Sequence, residues 1–365
     1  DGIQVGEMVR RALGFIARTG PASDQDRWEE SSGVNAFTLA ACIAALVSGA
    51  PFLEPGDGAV ALALADFWNA HIEDWNVVTD SPLQREMNVA GYYIRVAPSY
   101  VIEDNEVLKR VMHIKNHVLG TEYRGDDLVG TDFLQLVRFG LRRPDDPLIL
   151  DSLKVIDALL KVDSPNGPCW RRYNGDGYGE HVDGSAYNGS GQGRAWPLLT
   201  GERGHYELSA GRDPLPYLEA MAAMAGMGGM IPEQIWDASA IPERRLYPGR
   251  PTGSAMPLAW AHAEYVKLVF SRAEGYPVDR PKSVWERYGG ERPVAEQAFW
   301  LQQAPITRIG SGVKLVIALP FQAAVSWSTD GWKNPKQVAT SETGLGLHLV
   351  EIDPCASGPA RSLDF

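Results

Sequence analysis

Between residues 5 and 272, apolar residues recur about every 3.6 positions in eight runs, and the stretches joining those runs alternate between long and short. The runs predict helices over 5–19, 34–48, 58–76, 130–141, 147–161, 195–209, 214–229 and 253–272. The long connectors are 20–33, 77–129, 162–194 and 230–252, and the short ones are 49–57, 142–146 and 210–213. A short connector obliges the helices it joins to run antiparallel, so the alternation gathers every long connector at one end of a helical body. Connectors longer than about 12–15 residues are uncommon in compact domains unless they bind, cap or catalyse. Four of them at one end predict a walled pocket on a mainly α fold.

After about residue 290 the period changes to two, in Val313–Ala318, Ala324–Ser328 and Gly344–Val350. This predicts a second, antiparallel β-sandwich domain over 291–365, following a helical domain over 1–290. Asp330-Gly331 reads as the turn of a hairpin whose Trp327 and Trp332 pack against the helical part. With 365 residues, 44% of them hydrophobic, the chain is long enough for a large core. Its formal net charge of −12 repels phosphate backbones and anionic membranes and is indifferent to an uncharged sugar, so neither nucleic acid nor membrane is an expected partner. No run of eighteen apolar residues is present. Cys42 sits in a helical run and Cys169 and Cys355 in loop-like stretches, too few for a disulfide framework. Asp1-Gly2-Ile3-Gln4 is neither an initiator Met nor a leader, and it reads as a cut start that leaves the compartment open.

Two of the long connectors carry carboxylates in polar surroundings: Trp28-Glu29-Glu30 in the first and Glu233, within Ile231-Pro232-Glu233-Gln234, in the last. A pair of this kind suits inverting cleavage of a glycosidic bond, one carboxylic acid protonating the leaving oxygen and one carboxylate activating water from the opposite face. The two carboxyls then stand roughly 6.5–9.5 Å apart, against about 5–5.5 Å in a retaining enzyme. Trp28 offers a hydrophobic wall that raises its neighbour Glu29, while Glu233 stays ionised.

Other readings stay open. Trp28-Glu29-Glu30 also suits the acidic first turn of a helix, Glu30 also suits a pair with Arg27, and Arg172 one with Asp183. Trp196 and Trp236 are either sugar-stacking platforms or core aromatics. Gly189-Ser190-Gly191-Gln192-Gly193-Arg194 lacks the strand and the Lys-Ser or Lys-Thr of a phosphate loop. Glu202, His205 and Glu207 lack metal-ligand spacing, Asn174-Gly175-Asp176-Gly177 lacks the order of an EF-hand loop, and no cofactor is expected.

Four blocks resemble bacterial glucoamylases and glucodextranases of glycoside hydrolase family 15: Asp26-Arg27-Trp28-Glu29-Glu30, Arg172-Tyr173-Asn174-Gly175-Asp176, Gly191–Glu207, and Pro232–Asp237 followed by Pro251–Leu258. The resemblance implies an (α/α)6 toroid of twelve helices, of which the eight runs here correspond to the last eight. It also implies an exo-acting, inverting α-glucosidase that releases β-glucose from an α-glucan or oligosaccharide, with Glu29 as general acid and Glu233 as general base. Trp28 and Glu30 then line the subsites, and Arg172 and Asp176 bind sugar hydroxyls. Linkage stays open among α-1,4, α-1,6 and trehalose, and a non-catalytic carbohydrate-binding fragment is the alternative. The family's first four helices and the β-sandwich before them have no counterpart here, nor has the Arg-Asp pair they bring to the terminal glucose. That segment is therefore an expected partner, and its absence predicts exposed apolar faces on 5–19 and 34–48 and an incomplete β module at Phe365. The resemblance allows a secreted or periplasmic protein, and the compartment stays open.

Overall fold

Asn35 shows how local chemistry sets the architecture: its side-chain oxygen accepts from the amides of Phe37 and Thr38 at 3.0 and 3.1 Å, starting a helix, while its amide donates to the Arg95 carbonyl at 2.6 Å. One residue thus begins a core helix and ties it to the second long connector. The structure is a computed structural model, and it describes residues 4–116, 122–354 and 362–365. The reading of Cys355 lies outside the described residues, as does most of the reading of residues 1–4.

The helices are α1 (Val5–Thr19), α2 (Ala36–Gly49), α3 (Pro55–Ala70), α4 (Ile72–Asn76), α5 (Pro82–Glu86), α6 (Leu134–Arg138), α7 (Pro147–Leu159), α8 (Pro197–Ser209), α9 (Leu215–Met224), α10 (Ala259–Glu274) and α11 (Lys282–Tyr288). All eight predicted runs contain a helix, and each departure has a local cause. The 58–76 run breaks at His71 into α3 and α4. The 130–141 run keeps a single turn and a half, because Gly130 is bridged to Tyr173 and Gly140 adopts a φ of +79°. α9 stops before Gly226, Gly228 and Gly229, and α10 starts two residues after Pro257. The short α5 and α11, each preceded or opened by proline, were not expected.

α2 is buried along Leu39, Ile43, Leu46 and Val47, packs on α3, and belongs to one continuous core that reaches α6 and α8. The expected exposure of this helix is absent. α1 does expose Val5, Met8 and Phe15 at 61%, 53% and 62%, while Leu13 and Ala17 face the core. Where α8 meets α10, a Cβ on Gly201 would stand 2.7 Å from the Glu264 side chain and one on Gly204 2.6 Å from Leu268, so glycine permits this close approach.

The C-terminal strands differ from the predicted separate antiparallel domain. Lys314–Leu319 pairs antiparallel with His348–Ile352, Val350 opposite Ile317, but parallel with Gln297–Leu301, Phe299 opposite Val316. Ser341–Glu342 completes this mixed sheet, and Ala324–Trp327 with Lys336–Ala339 forms a two-stranded ribbon beside it. Val316 and Ala318 point into the helical core with Phe299, whose ring lies 5.9 Å from that of Phe67. Leu315 and Ile317 point the other way, into a second cluster with Val325, Val350 and Trp327. The sheet is therefore a wall of the helical body with its own outer core. Trp327 belongs to that outer core, under the Lys336 ammonium at 4.6 Å, and Trp332 is 48% exposed, so neither takes the expected position against the helices. Asp330-Gly331 lies in the loop 328–335 that joins the two ribbon strands, a longer connection than a tight hairpin turn, with Gly331 at a φ of +70°.

Candidate active site

The first long connector folds around Asp26. One oxygen of its carboxylate accepts from the amides of Trp28, Glu30 and Ser31 at 3.2, 3.1 and 3.4 Å, and its backbone carbonyl accepts from the Glu29 amide at 3.0 Å. Glu29 is held at a φ of +58°, a region that a side-chain-bearing residue adopts at a cost on the order of 1 kcal/mol. That turn sends two adjacent carboxylates into opposite settings. Glu29 is exposed, and among the described residues its carboxylate has no hydrogen bond or ion pair; Lys115 donates to its backbone carbonyl at 3.3 Å. The Glu30 side chain is only 2% exposed.

Glu30 lies at the centre of a charged web. Arg95 donates to it at 2.9 Å and to Asp26 at 2.7 Å, Arg172 donates to it at 2.9 Å, Asn116 at 2.6 Å, and the Tyr173 hydroxyl completes the set. Burial alone would raise this carboxyl, but Arg172, Tyr173, Arg95 and Asn116 together hold it below its ordinary value. Arg172 also donates to both oxygens of Asp176, at 2.8 Å from Nε and at 2.7 Å from the same Nη2 that reaches Glu30. Burial pushes Asp176 up and Arg172 pulls it back. Asp176, which the resemblance offers to a sugar hydroxyl, is thus engaged behind Arg172. Arg27 does not pair with Glu30: it pairs with Asp132 at 3.0 Å and with Glu202, because its ring-stacked position at 4.6 Å from Trp28 points it beneath the loop. Asp183 faces Arg244 at 3.7 Å rather than Arg172.

Glu233 arrives from the last long connector, held by main chain. Its amide donates to the Ala255 carbonyl at 2.8 Å, the Gln234 amide donates to the Ser254 hydroxyl at 3.0 Å, and the Ile231 amide donates to the His262 ring at 2.9 Å. The Gln234 side chain donates to the Tyr178 carbonyl at 3.0 Å, and the Tyr178 amide donates to Asp176 at 2.9 Å. Arg172 lies 5.0 Å above the Tyr178 ring and 5.1 Å above that of Trp28. The Glu29 and Glu233 loops therefore meet across Arg172 and Tyr178, and Arg95 and Asn116 join from the 77–129 connector. All four long connectors converge, as the alternation predicts.

The electrostatics depart from the sequence reading. Trp28 does not wall Glu29, whose side chain is exposed while the indole turns inward, 5.1 Å from Trp196 and 5.5 Å from Trp260. The carboxyl that burial raises is Glu233, with Tyr178, Arg172 and Gln234 pulling it down and Glu180 pushing it further up. The indole N–H groups of Trp28 and Trp196 are buried without partners among the described residues, two donors at the edge of the site. Trp236 is not brought to it: fully buried, it donates to the Ser239 carbonyl at 2.7 Å and has Arg194 over its ring at 4.0 Å. On α8, His205 pairs with Glu264 at 2.8 Å and Glu207 with Arg203 at 2.7 Å.

The residues that sequence reasoning missed are Asp26, Arg95, Asn116, Tyr173 and Tyr178. Arg95 had a signal, a lone cation in the apolar run Tyr92–Ala97, and Tyr173 stands in a quoted block. Asn116 had none.

Comparison with known proteins is consistent with this geometry. Residues 3–270 match the model of glycosyl hydrolases family 15. A glucoamylase of Clostridium sp. (strain G0005) is 41% identical over 285 residues, 77% of this chain and 38% of that protein. The crystal structure of a bacterial glucoamylase complexed with acarbose superposes with a TM-score of 0.67 at 40% identity, covering 77% of this chain and 39% of that one. The chain thus spans about two fifths of the length of these relatives.

Proposed function

The chain belongs to glycosyl hydrolases family 15, its helical body is a segment of the α/α toroid, and we propose that it carries the acid and base of an exo-acting, inverting α-glucan hydrolase. In this reading Glu29 protonates the glycosidic oxygen, Glu233 takes a proton from the attacking water, and β-glucose leaves. Glu30 does not titrate into the reaction: fixed between Arg95 and Arg172, it holds Arg172 toward the sugar hydroxyls. Trp28 and Trp196 support Arg172 with their rings, and Asp176 serves by orienting Arg172.

The observation that supports the reading is the meeting of the loop bearing the exposed Glu29 and the loop bearing the buried Glu233 across Arg172 and Tyr178. In this reading the exposed carboxyl faces the incoming sugar. The named relatives are glucoamylases, which favours α-1,4-linked glucan over the α-1,6 and trehalose alternatives. A non-catalytic carbohydrate-binding role is the second reading, favoured by the commitment of Glu30 and Asp176 to Arg172.

The deciding experiment follows the anomer released from maltose and isomaltose by proton NMR. It uses the chain, a form extended to the relatives' length, and Glu29→Gln and Glu233→Gln in each. β-Glucose abolished by both substitutions is expected; α-glucose would sink the inverting mechanism, and sugar binding without turnover in both forms would favour the second reading.

A further inference from the structure

Glu180 stands four residues beyond Asp176 and is absent from the roles assigned above. It is 7% exposed, and one carboxylate oxygen accepts from the Gly253 amide at 2.6 Å. The other oxygen is buried with no hydrogen-bond partner among the described residues. Its backbone carbonyl accepts from Arg194 at 2.9 Å. The preceding Gly179 is packed so closely that a Cβ there would lie 2.4 Å from the Gln192 carbonyl and 2.8 Å from the Gln234 side chain. Gly253 opens the segment Gly253-Ser254-Ala255, whose hydroxyl and carbonyl receive the Gln234 and Glu233 amides. The contacts run in one direction, from a rigid seat at Glu180 through Gly253 to the backbone that carries Glu233.

We propose that Glu180 is a positioning residue for Glu233, fixing through Gly253 the backbone that carries it and tuning it from this second buried carboxyl. The catalytic consequence rests on the function proposed above; the positioning does not. Of the groups facing Glu233, Arg172, Tyr178 and Gln234 favour the ionised form and Glu180 opposes it. Around Glu180, Arg194 is committed to Asp237 at 2.9 Å and His181 faces Asn188 at 3.2 Å, so neither side chain bonds the free oxygen. A buried carboxylate with one unpaired oxygen is costly to keep, which its effect on Glu233 explains.

The test is carbon-13 NMR of side-chain-labelled glutamates in the chain and in Glu180→Gln and Glu180→Ala. The Glu233 resonance is identified by its loss in Glu233→Gln. Glutamine keeps an acceptor for Gly253 and removes the charge, so the Glu233 midpoint is expected to fall by roughly half a pH unit or more in Glu180→Gln. Alanine also releases Gly253, and its amide resonance is expected to move. An unchanged Glu233 midpoint in Glu180→Gln overturns the inference, even if the alanine variant fails to fold. In an active, extended form the acid limb of kcat/KM is expected to follow the midpoint; a limb that stays put removes the catalytic consequence. Retained hydrolysis in Glu233→Gln defeats the proposed function instead, and leaves the NMR result to decide the inference.

Discussion

The loop bearing Glu29 and the loop bearing Glu233 supply paired carboxylates to one site, yet they are held by different forces. The first is fixed by buried charge, with Asp26 and Glu30 on Arg95 and Glu30 and Asp176 on Arg172. The second is fixed by neutral bonds to Ala255, Ser254 and His262. Breaking a buried ion pair strands an uncompensated charge, whereas losing one neutral hydrogen bond costs little. A site built this way holds the Glu29 loop rigid and leaves the proton affinity of Glu233 adjustable by a few neighbours.

The largest effect that tests this contrast is expected from Arg172→Ala, which leaves Glu30 with Arg95 as its remaining cation and Asp176 with none among the described residues. Urea unfolding at neutral pH should show a loss of about 3–5 kcal/mol, and a loss under about 1 kcal/mol would mean that charge does not fix the first loop.

Next in size are two pH dependences of opposite sign. Glu30 is held below its ordinary value of 4.5, so its contribution to stability is full above that value and is lost as pH falls through the lowered one. The stability gap between the parent chain and Glu30→Gln should therefore close on acidification from neutral pH. Glu233 is raised above its ordinary 4.5, so its contribution is full below that value and is lost as pH rises through the raised one. Glu233→Gln should accordingly gain on the parent as pH rises from about 4 towards 7. Unfolding curves across pH that slope the same way for both variants would erase the distinction between the loops.

The smallest effect is expected from Ser254→Ala, which removes the acceptor of the Gln234 amide. A loss of about 0.5–1.5 kcal/mol in the same assay would sharpen the contrast, and a loss as large as that of Arg172→Ala would break it.

Much of the helical architecture was legible because apolar spacing and breaker residues act locally. α1 and α2 follow their runs within two residues, whereas α9 stops at Met224, short of its predicted run over 214–229, before a glycine-rich turn. α6 was overread, since the bridge from Gly130 to Tyr173 is a contact between connectors. The convergence of the long connectors was also legible, from their alternation alone. The web around Glu30 was not: Arg95 and Arg172 lie 65 and 142 positions away along the chain, and Asn116 carries no local signal. The expectation that Trp28 walls Glu29 failed because the left-handed turn at Glu29 separates the indole from the carboxyl.

By itself, then, the sequence determined where helices form, which connectors are long and which carboxylates they carry, because these follow from periodicity and residue type. Tertiary structure decided which carboxylate is exposed and which is raised, since proton affinity depends on burial and on charges brought in from distant connectors. It also decided that the C-terminal strands share the helical core: period two assigns residues to faces, and only packing decides what each face meets.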